Sequence, residues 1–534
     1  MKTGRLSHAP TVLLIIGYPL FWIELYAIRM PHGHTSDLAW IVFGLWATIM
    51  LMREQNALIS TGRAAWNEIV SPSHRWRWLW VAALALASFI LVIAAWSSTL
   101  PLHLVQEFDT INYYYAMPRQ HLVRHSFGLI PWSMIDLRLL PLQMALAPFW
   151  FSTSLPNKIP QFIFLIGLLM IIGRLVYRLS QQNSWLSPCA ACLAVIGSHG
   201  FGIQFGTAMF DIPICYLFLA ALDSALEGNG VWAGLELAFF ALSKPFMPLQ
   251  FAGLSLATLM LFVFDRKGWL HVEHLSMFSQ KSFNVLSFVI TFVLVGFPFI
   301  LKSFNHTGSP LFPFFVGLFK PRIAHSAAFR ATLSESGPQQ LAARTLYGQA
   351  RSLMGLMTCW WWIAVPEGGV NNRFDYPMGL PWLLFIAPFA ILLASDLWRR
   401  RLSLAAFFTT CFLLSWWLAS QEARYLYLPL ILMIVTVVTA TPLGRSAVLM
   451  AGLGAALFLN LVSVYRSDRA SFGKPPLSIL RPADRDLVLM SRQLETTSPQ
   501  GIDVNQGGVT YAEFPVRSVG NDTMWTLPTD QSVQ

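Results

Sequence analysis

The ionisable residues able to do chemistry gather in a few short stretches, each beside a long apolar run. The first is Gln106-Glu107-Phe108-Asp109-Thr110-Ile111-Asn112-Tyr113-Tyr114-Tyr115. Two carboxylates at i and i+2, beside tyrosines at a membrane surface, can supply a general base or hold a cation. An ordinary solvated loop is the competing reading. The nearby His103, Arg119, His121, Arg124 and His125 favour a site.

Three further stretches carry similar signals. Asp211 opens one apolar run in Phe210-Asp211-Ile212-Pro213, and Lys244 closes another in Leu242-Ser243-Lys244-Pro245. A charge at membrane depth costs about 2.5–3.5 kcal/mol, so such residues tend to face a wet interior. Snorkelling to water is the alternative, easier for Lys than for Asp. Arg424 stands at a span entrance in Gln421-Glu422-Ala423-Arg424-Tyr425-Leu426-Tyr427-Leu428-Pro429. Its planar fork suits a phosphate, and an Arg-Tyr interfacial anchor is the bland reading. Last, Thr307-Gly308-Ser309-Pro310-Leu311-Phe312-Pro313 forces a turn at a membrane face.

The elements that must position these residues are transmembrane helices. The 534 residues are 55% hydrophobic and 12% charged, against about a quarter charged in a soluble domain. The apolar runs are continuous, which excludes a β-barrel, and only a helix satisfies its own backbone in hydrocarbon. Thirteen spans are expected, at 10–28, 38–52, 78–97, 161–178, 186–203, 208–226, 231–243, 247–264, 283–301, 380–397, 402–419, 425–441 and 446–464. With short ones merging, the fold class is all-α, a polytopic bundle of about 11–13 spans. Residues 140–155 and 352–365 are also apolar, but parity makes them re-entrant or interfacial helices. The first run is read as a retained span, not a removed signal peptide.

Orientation follows from lysine and arginine in short connections. Lys2, Arg5, Arg53, Arg63, Arg75, Arg77, Arg174, Arg178, Arg266, Lys267, Lys281, Arg399, Arg400, Arg401 and Arg445 fall on one side; Arg29, Lys244 and Arg424 fall on the other. The first side is therefore cytoplasmic, as is the N-terminus. The loops 101–160 and 302–379 and the tail fall outside, and a bacterial-type inner membrane is expected. Three regions result: an N-terminal helix pair with a cytoplasmic loop (1–77), a transmembrane core (78–465) and an extracytoplasmic tail (466–534).

Taken in order, these motifs resemble those of the GT-C membrane glycosyltransferases, the group of protein mannosyltransferases and aminoarabinose transferases. The shared pattern is an acidic motif after an early span, an Asp opening a later span, a Lys-Pro span end, a Gly-x-Pro-x-x-Pro-Phe-like turn, and Arg-Tyr-Leu-x-x-Pro near the end. It covers roughly residues 78–465, with spans one and two as an added pair. The resemblance implies transfer of a sugar from a polyprenyl-phosphate donor to a lipid, glycan or protein acceptor outside the cell. It makes Asp109 or Glu107 the catalytic acid that activates the acceptor hydroxyl or helps hold a divalent cation. Asp211, with Arg119 and His121 nearby, would shape the acceptor side; Arg424 and Lys244 would meet the donor phosphate. The first motif is Glu-x-Asp rather than the family's Asp-Glu pair.

Other classes find little support. No basic run with interleaved aromatics points to nucleic acid, despite a net charge of +10. There is no GxxxxGK[ST] loop and no HExxH; His271-Val272-Glu273-His274 reads as an ordinary polar stretch, and Ser198-His199 lacks a hydrolase context. Cys189 and Cys192 have CxxC spacing inside an apolar run and read as small packing residues. The alternatives kept are an O-antigen polymerase or ligase of the cell envelope, and a secondary transporter. The absence of two matching halves weighs against the transporter.

Overall fold

A computed structural model describes residues 5–26, 34–71, 76–99, 141–150, 158–180, 184–243, 247–273, 284–310, 351–365, 377–418, 421–441 and 446–468, residues 114, 117–118, 121–122, 125–128 and 374, and two short strands in the tail. Glu107, Asp109, Arg119 and Lys244 lie outside the described residues.

All thirteen expected apolar segments form helices, and eight helices among the described residues are long and apolar enough to cross a membrane. The first are α1 (Ala9–Tyr26), α2 (His34–Val70), α3 (Arg77–Ser98), α4 (Pro141–Trp150), α5 (Ile159–Leu179) and α6 (Leu186–Ile196). They are followed by α7 (Asp211–Leu226), α8 (Gly230–Ala241), α9 (Met247–Arg266), α10 (Val285–Thr307) and α11 (Leu353–Ala364). The bundle ends with α12 (Leu380–Trp398), α13 (Leu404–Leu418), α14 (Tyr427–Ala440) and α15 (Ala447–Asp468).

The structure departs from the sequence expectation in four places. The expected cytoplasmic loop after residue 52 is the second half of α2, a single helix of 37 residues. At 1.5 Å per residue it runs about 55 Å, well beyond a bilayer core of about 30 Å. The expected span 186–203 breaks at Gly197 and resumes as one turn, His199–Gly202. Asn460 of α15 donates to the carbonyl of Ile196 at the break, satisfying an orphaned helix-end acceptor. Helix α4 has all ten residues buried, so of the two expected readings an interfacial helix does not describe it. Finally, β1 (His271–Glu273) and β2 (Arg401–Ser403) pair in parallel, as do β3 (Ile502–Val504) and β4 (Val516–Val519), a small departure from a purely helical chain.

Without a hydrophobic drive between helices in lipid, close approach depends on small residues. Gly230 and Gly234 form a GxxxG face on α8 that meets the start of α10. A Cβ on Gly234 would lie 2.4 Å from the carbonyl oxygen of Phe288, and one on Gly230 would lie 2.3 Å from that of Asn284. Gly17 of α1 sits closer still to the Ala145 carbonyl of α4. Both helices of the α8–α10 pair start at an asparagine cap: Asn229 accepts from Trp232 N and Asn284 from Ser287 N.

The helix ends sort into two sets. At one end the Arg5 amide donates to Glu54, Glu68 accepts from Ser184 and the Trp185 amide, and β1 pairs with β2. At the other, the Lys158 amide donates to Ser98 O, Ser198 to Met378 O, and the Ala423 amide to Phe374 O. This is the grouping that alternating short connections require.

An ionic cluster holds the first end together. Arg174 and Arg178 of α5 both approach Asp223 of α7 to 2.9 Å, and both also reach Glu227. Glu236 of α8 accepts from Ser224 (2.8 Å) and Thr11 (2.6 Å), and His8 Nδ1 lies 2.9 Å from it. The Tyr216 hydroxyl lies 2.8 Å from Thr11 Oγ1 and donates to the Ser7 carbonyl at 3.2 Å. The N-terminus of α1 is thereby tied to three core helices.

Two predictions follow from this packing. Asp223→Ala removes the carboxylate between two arginines, and breaking a buried ion pair costs about 3–5 kcal/mol. Its thermal midpoint in detergent should fall well below that of Asp223→Asn, which keeps a carbonyl acceptor. Gly234→Leu should destabilise by about 1–3 kcal/mol or more, through overpacking against the α10 backbone, read in the same melting assay.

Candidate functional site

The second end carries a polar cluster built from three separated stretches: the turn before α7, the entry to α14, and Tyr114. The turn is set by packing. Gly206 has φ +74°, and a Cβ there would lie 2.3 Å from Cβ of Ser97 on α3. Any other residue would meet both a disfavoured backbone conformation and a clash. Gln161 of α5 reaches the Ala208 carbonyl from the opposite side. Held between α3 and α5, the turn delivers Gln204, Phe210 and Asp211 to one place.

Asp211 is 4% exposed and begins α7. A carboxylate in the first helical turn is favoured by the helix dipole. Its Oδ2 accepts from Gln204 Nε2 at 2.8 Å. Only the NH₂ group of the amide can donate to a carboxylate, so this contact fixes which way the Gln204 amide points. Gln204 Oε1 is buried and has no partner among the described residues.

Arg424 enters from the α14 side, on the single turn Ala423–Leu426. Its Nε donates to Glu422 Oε2 at 2.5 Å, and its guanidinium lies 5.7 Å from the Tyr425 ring centroid. Glu422 is oriented by its backbone, whose carbonyl accepts from Trp416 Nε1 at 2.8 Å. The Arg424 charge also interacts with Asp211 and with Tyr114. Tyr114 packs edge-on against Phe210 with centroids 4.2 Å apart. Asp211 and Arg424, read separately from the sequence, thus lie at the same end of the bundle, within electrostatic reach of each other. Tyr114 belongs to the stretch that carries Glu107 and Asp109, and it reaches the same place.

His121 belongs to a different grouping. Its Nδ1 lies 2.8 Å from the Ser126 carbonyl and must be the protonated nitrogen, so Nε2 accepts from Lys302 Nζ at 3.1 Å. Lys302, near the end of α10, lies 4.4 Å from the Phe127 ring centroid. The turn after α10 follows the sequence expectation: Gly308 takes φ +79° and its amide donates to Phe304 O.

Sequence reasoning missed Gln204, Glu422, Lys302 and the whole cluster at the first end. Glu422 stood within a quoted motif, and its separation of two residues from Arg424 was a usable signal. Gln204 gave none.

Among the described residues at this end there is no group of three side chains placed to hold a divalent cation. Among the described residues the only group of three metal-type side chains is His8, Asp223 and Glu227, at the opposite end. There Arg174 and Arg178 already neutralise both carboxylates and oppose a further positive charge.

The turn geometry yields a prediction. Gly206→Ala forces a Cβ into Ser97 and a strained φ, so the variant should lose about 1–3 kcal/mol of stability, read as a lower detergent melting temperature. Gly173→Ala, where a Cβ meets open space, should not.

No protein family matches the chain, and comparison with curated proteins and with solved structures finds no match.

Proposed function

We propose that this membrane protein is a glycosyltransferase that moves a sugar from a polyprenyl-phosphate donor to an acceptor at the membrane face bearing Asp211 and Arg424. The observation that carries this reading is that Asp211 and Arg424, more than two hundred residues apart in the chain, come within electrostatic reach of each other and of Tyr114, which packs on Phe210 next to Asp211. The order of motifs that resembles the GT-C enzymes supports it, and the Lys and Arg distribution makes this face extracytoplasmic.

The chemistry suits such residues. The acceptor hydroxyl oxygen attacks the anomeric carbon, and the bond from that carbon to the phosphate oxygen breaks. The electron pair leaves with the lipid phosphate, and the hydroxyl proton passes to a carboxylate. The transition state is oxocarbenium-like, with negative charge growing on the leaving oxygen. Arg424 supplies a fixed cation for that charge. Glu422 orients its guanidinium through the contact at Nε. Lys244 is assigned to the same phosphate. Glu107 or Asp109 is assigned as the base, with Asp211 and Arg119 on the acceptor side; His121, grouped with Lys302, is not assigned to it. The apolar flanks of the bundle give a prenyl tail a hydrocarbon environment that a soluble enzyme lacks.

The test is transfer of radiolabel from polyprenyl-phosphate sugars by the purified chain in proteoliposomes. Arg424→Ala should lower kcat by about 10²–10³-fold, the usual loss when one preorganised donor to a developing oxyanion is removed. Arg424→Lys should restore only a small part, because an ammonium lacks the planar fork. Absence of turnover for every polyprenyl-phosphate sugar supplied, with solute flux across the same vesicles, would replace this reading with a transporter. An Asp109→Asn variant of full activity would favour an envelope polysaccharide polymerase or ligase.

A further inference from the structure

Gln204 sits where the transferase reading needs a residue that nothing above assigns. Its amide is oriented by chemistry, since Nε2 must face Asp211 Oδ2 at 2.8 Å. Oε1 is therefore turned away from that oxygen. It is buried, and no described residue donates to it. A buried carbonyl oxygen left without a donor costs about 1–3 kcal/mol. Natural structures rarely leave such a group unmatched without a use for it. The residue is also held firmly: its own amide donates to the Phe201 carbonyl, and its carbonyl accepts from the Thr207 amide and hydroxyl. Gly206 wedges the same turn against α3.

A carbonyl oxygen can only accept, so its partner must present an O–H or N–H. Next to it stands a carboxylate, also an acceptor, within the field of Arg424. An acceptor of this kind matches a sugar hydroxyl and does not match a phosphate oxygen, which is itself an acceptor. We propose that Gln204 is the specificity residue of the site: it accepts a hydrogen bond from one hydroxyl of the transferred or acceptor sugar, with Asp211 fixing the amide. This assignment rests on the transferase reading for the identity of its ligand, though not for the binding itself.

The experiment uses the full chain in detergent and methyl glycosides of mannose, glucose and arabinose, each with its monodeoxy analogues. Binding is followed by tryptophan fluorescence and saturation-transfer NMR. For one sugar, removal of one hydroxyl should weaken binding to the wild type about tenfold, the size of one neutral hydrogen bond. Gln204→Leu should bind that parent glycoside and that deoxy analogue equally, while the other deoxy analogues keep their ranking. A merely structural role would weaken the whole series together, and that result overturns the assignment. So does equal binding of every deoxy analogue by the wild type, or no binding of any glycoside. If Gln204→Leu does not fold, Gln204→Met, closer in shape, replaces it, and the wild-type deoxy series stands without either variant. Label transfer from polyprenyl-phosphate sugars separates the two levels. Transfer without hydroxyl discrimination sinks the role of Gln204 and leaves the transferase reading standing. Discrimination without transfer does the reverse.

Discussion

Charge inside a bilayer is the constraint on which this structure depends. Each ionised side chain that the helices carry below the surface must meet an opposite charge or a set of hydrogen bonds, because water is not there to do it. The chain meets that demand at one end with a single cluster. Arg174 and Arg178 enclose Asp223, while His8, Thr11 and Ser224 converge on Glu236. Four helices are fixed by these contacts, and their rotations are fixed with them, since turning any one would strand a charge. The price is a narrow tolerance for substitution at all of these positions.

Helix α7 carries that constraint along its length. Tyr216 and Asp223 are seven residues apart, about 20° around the helix, so both face α1 and the ionic cluster. Asp211 is twelve residues from Asp223, about 120° away, and so points toward the α14 entry instead. One helix thus presents its acid to Arg424 at one end while its opposite end is locked. The short α8, joined to α10 through Gly230 and Gly234, closes the remaining side of the clamp.

Much of the fold was legible in the sequence because hydrocarbon leaves a chain little choice. Every long apolar run became a helix, and the alternation of charged connections agrees with how the helix ends sort. The departures come from information that hydropathy does not hold. Residues 53–70 are polar and still helical, since helix propensity continues after the membrane stops. The break at Gly197 depends on Asn460, more than two hundred and fifty residues later, to satisfy the freed carbonyl. In the site, Asp211 and Arg424 were visible because charge at the end of an apolar run is conspicuous. Gln204 was not, because an uncharged amide in a short connection gives no periodicity or charge signal. His8 and Glu236 were passed over for a related reason. Each is a lone polar residue whose meaning lies in a partner on another helix.

The two clusters differ in a way that bears on their roles. At the first end the strong acceptors are met from within: Glu236 takes three donors and Asp223 takes two guanidinium groups. A ligand entering this set would have to displace ion pairs already made within the chain. At the second end Gln204 keeps a buried oxygen that no described residue reaches, and Arg424 is steadied by a carboxylate two residues away. A closed network rigidifies, whereas a cluster with an acceptor held ready in a fixed orientation is preorganised for something outside the chain. The rigidity of the first end is what makes that preorganisation possible at the second, because α7 joins the two.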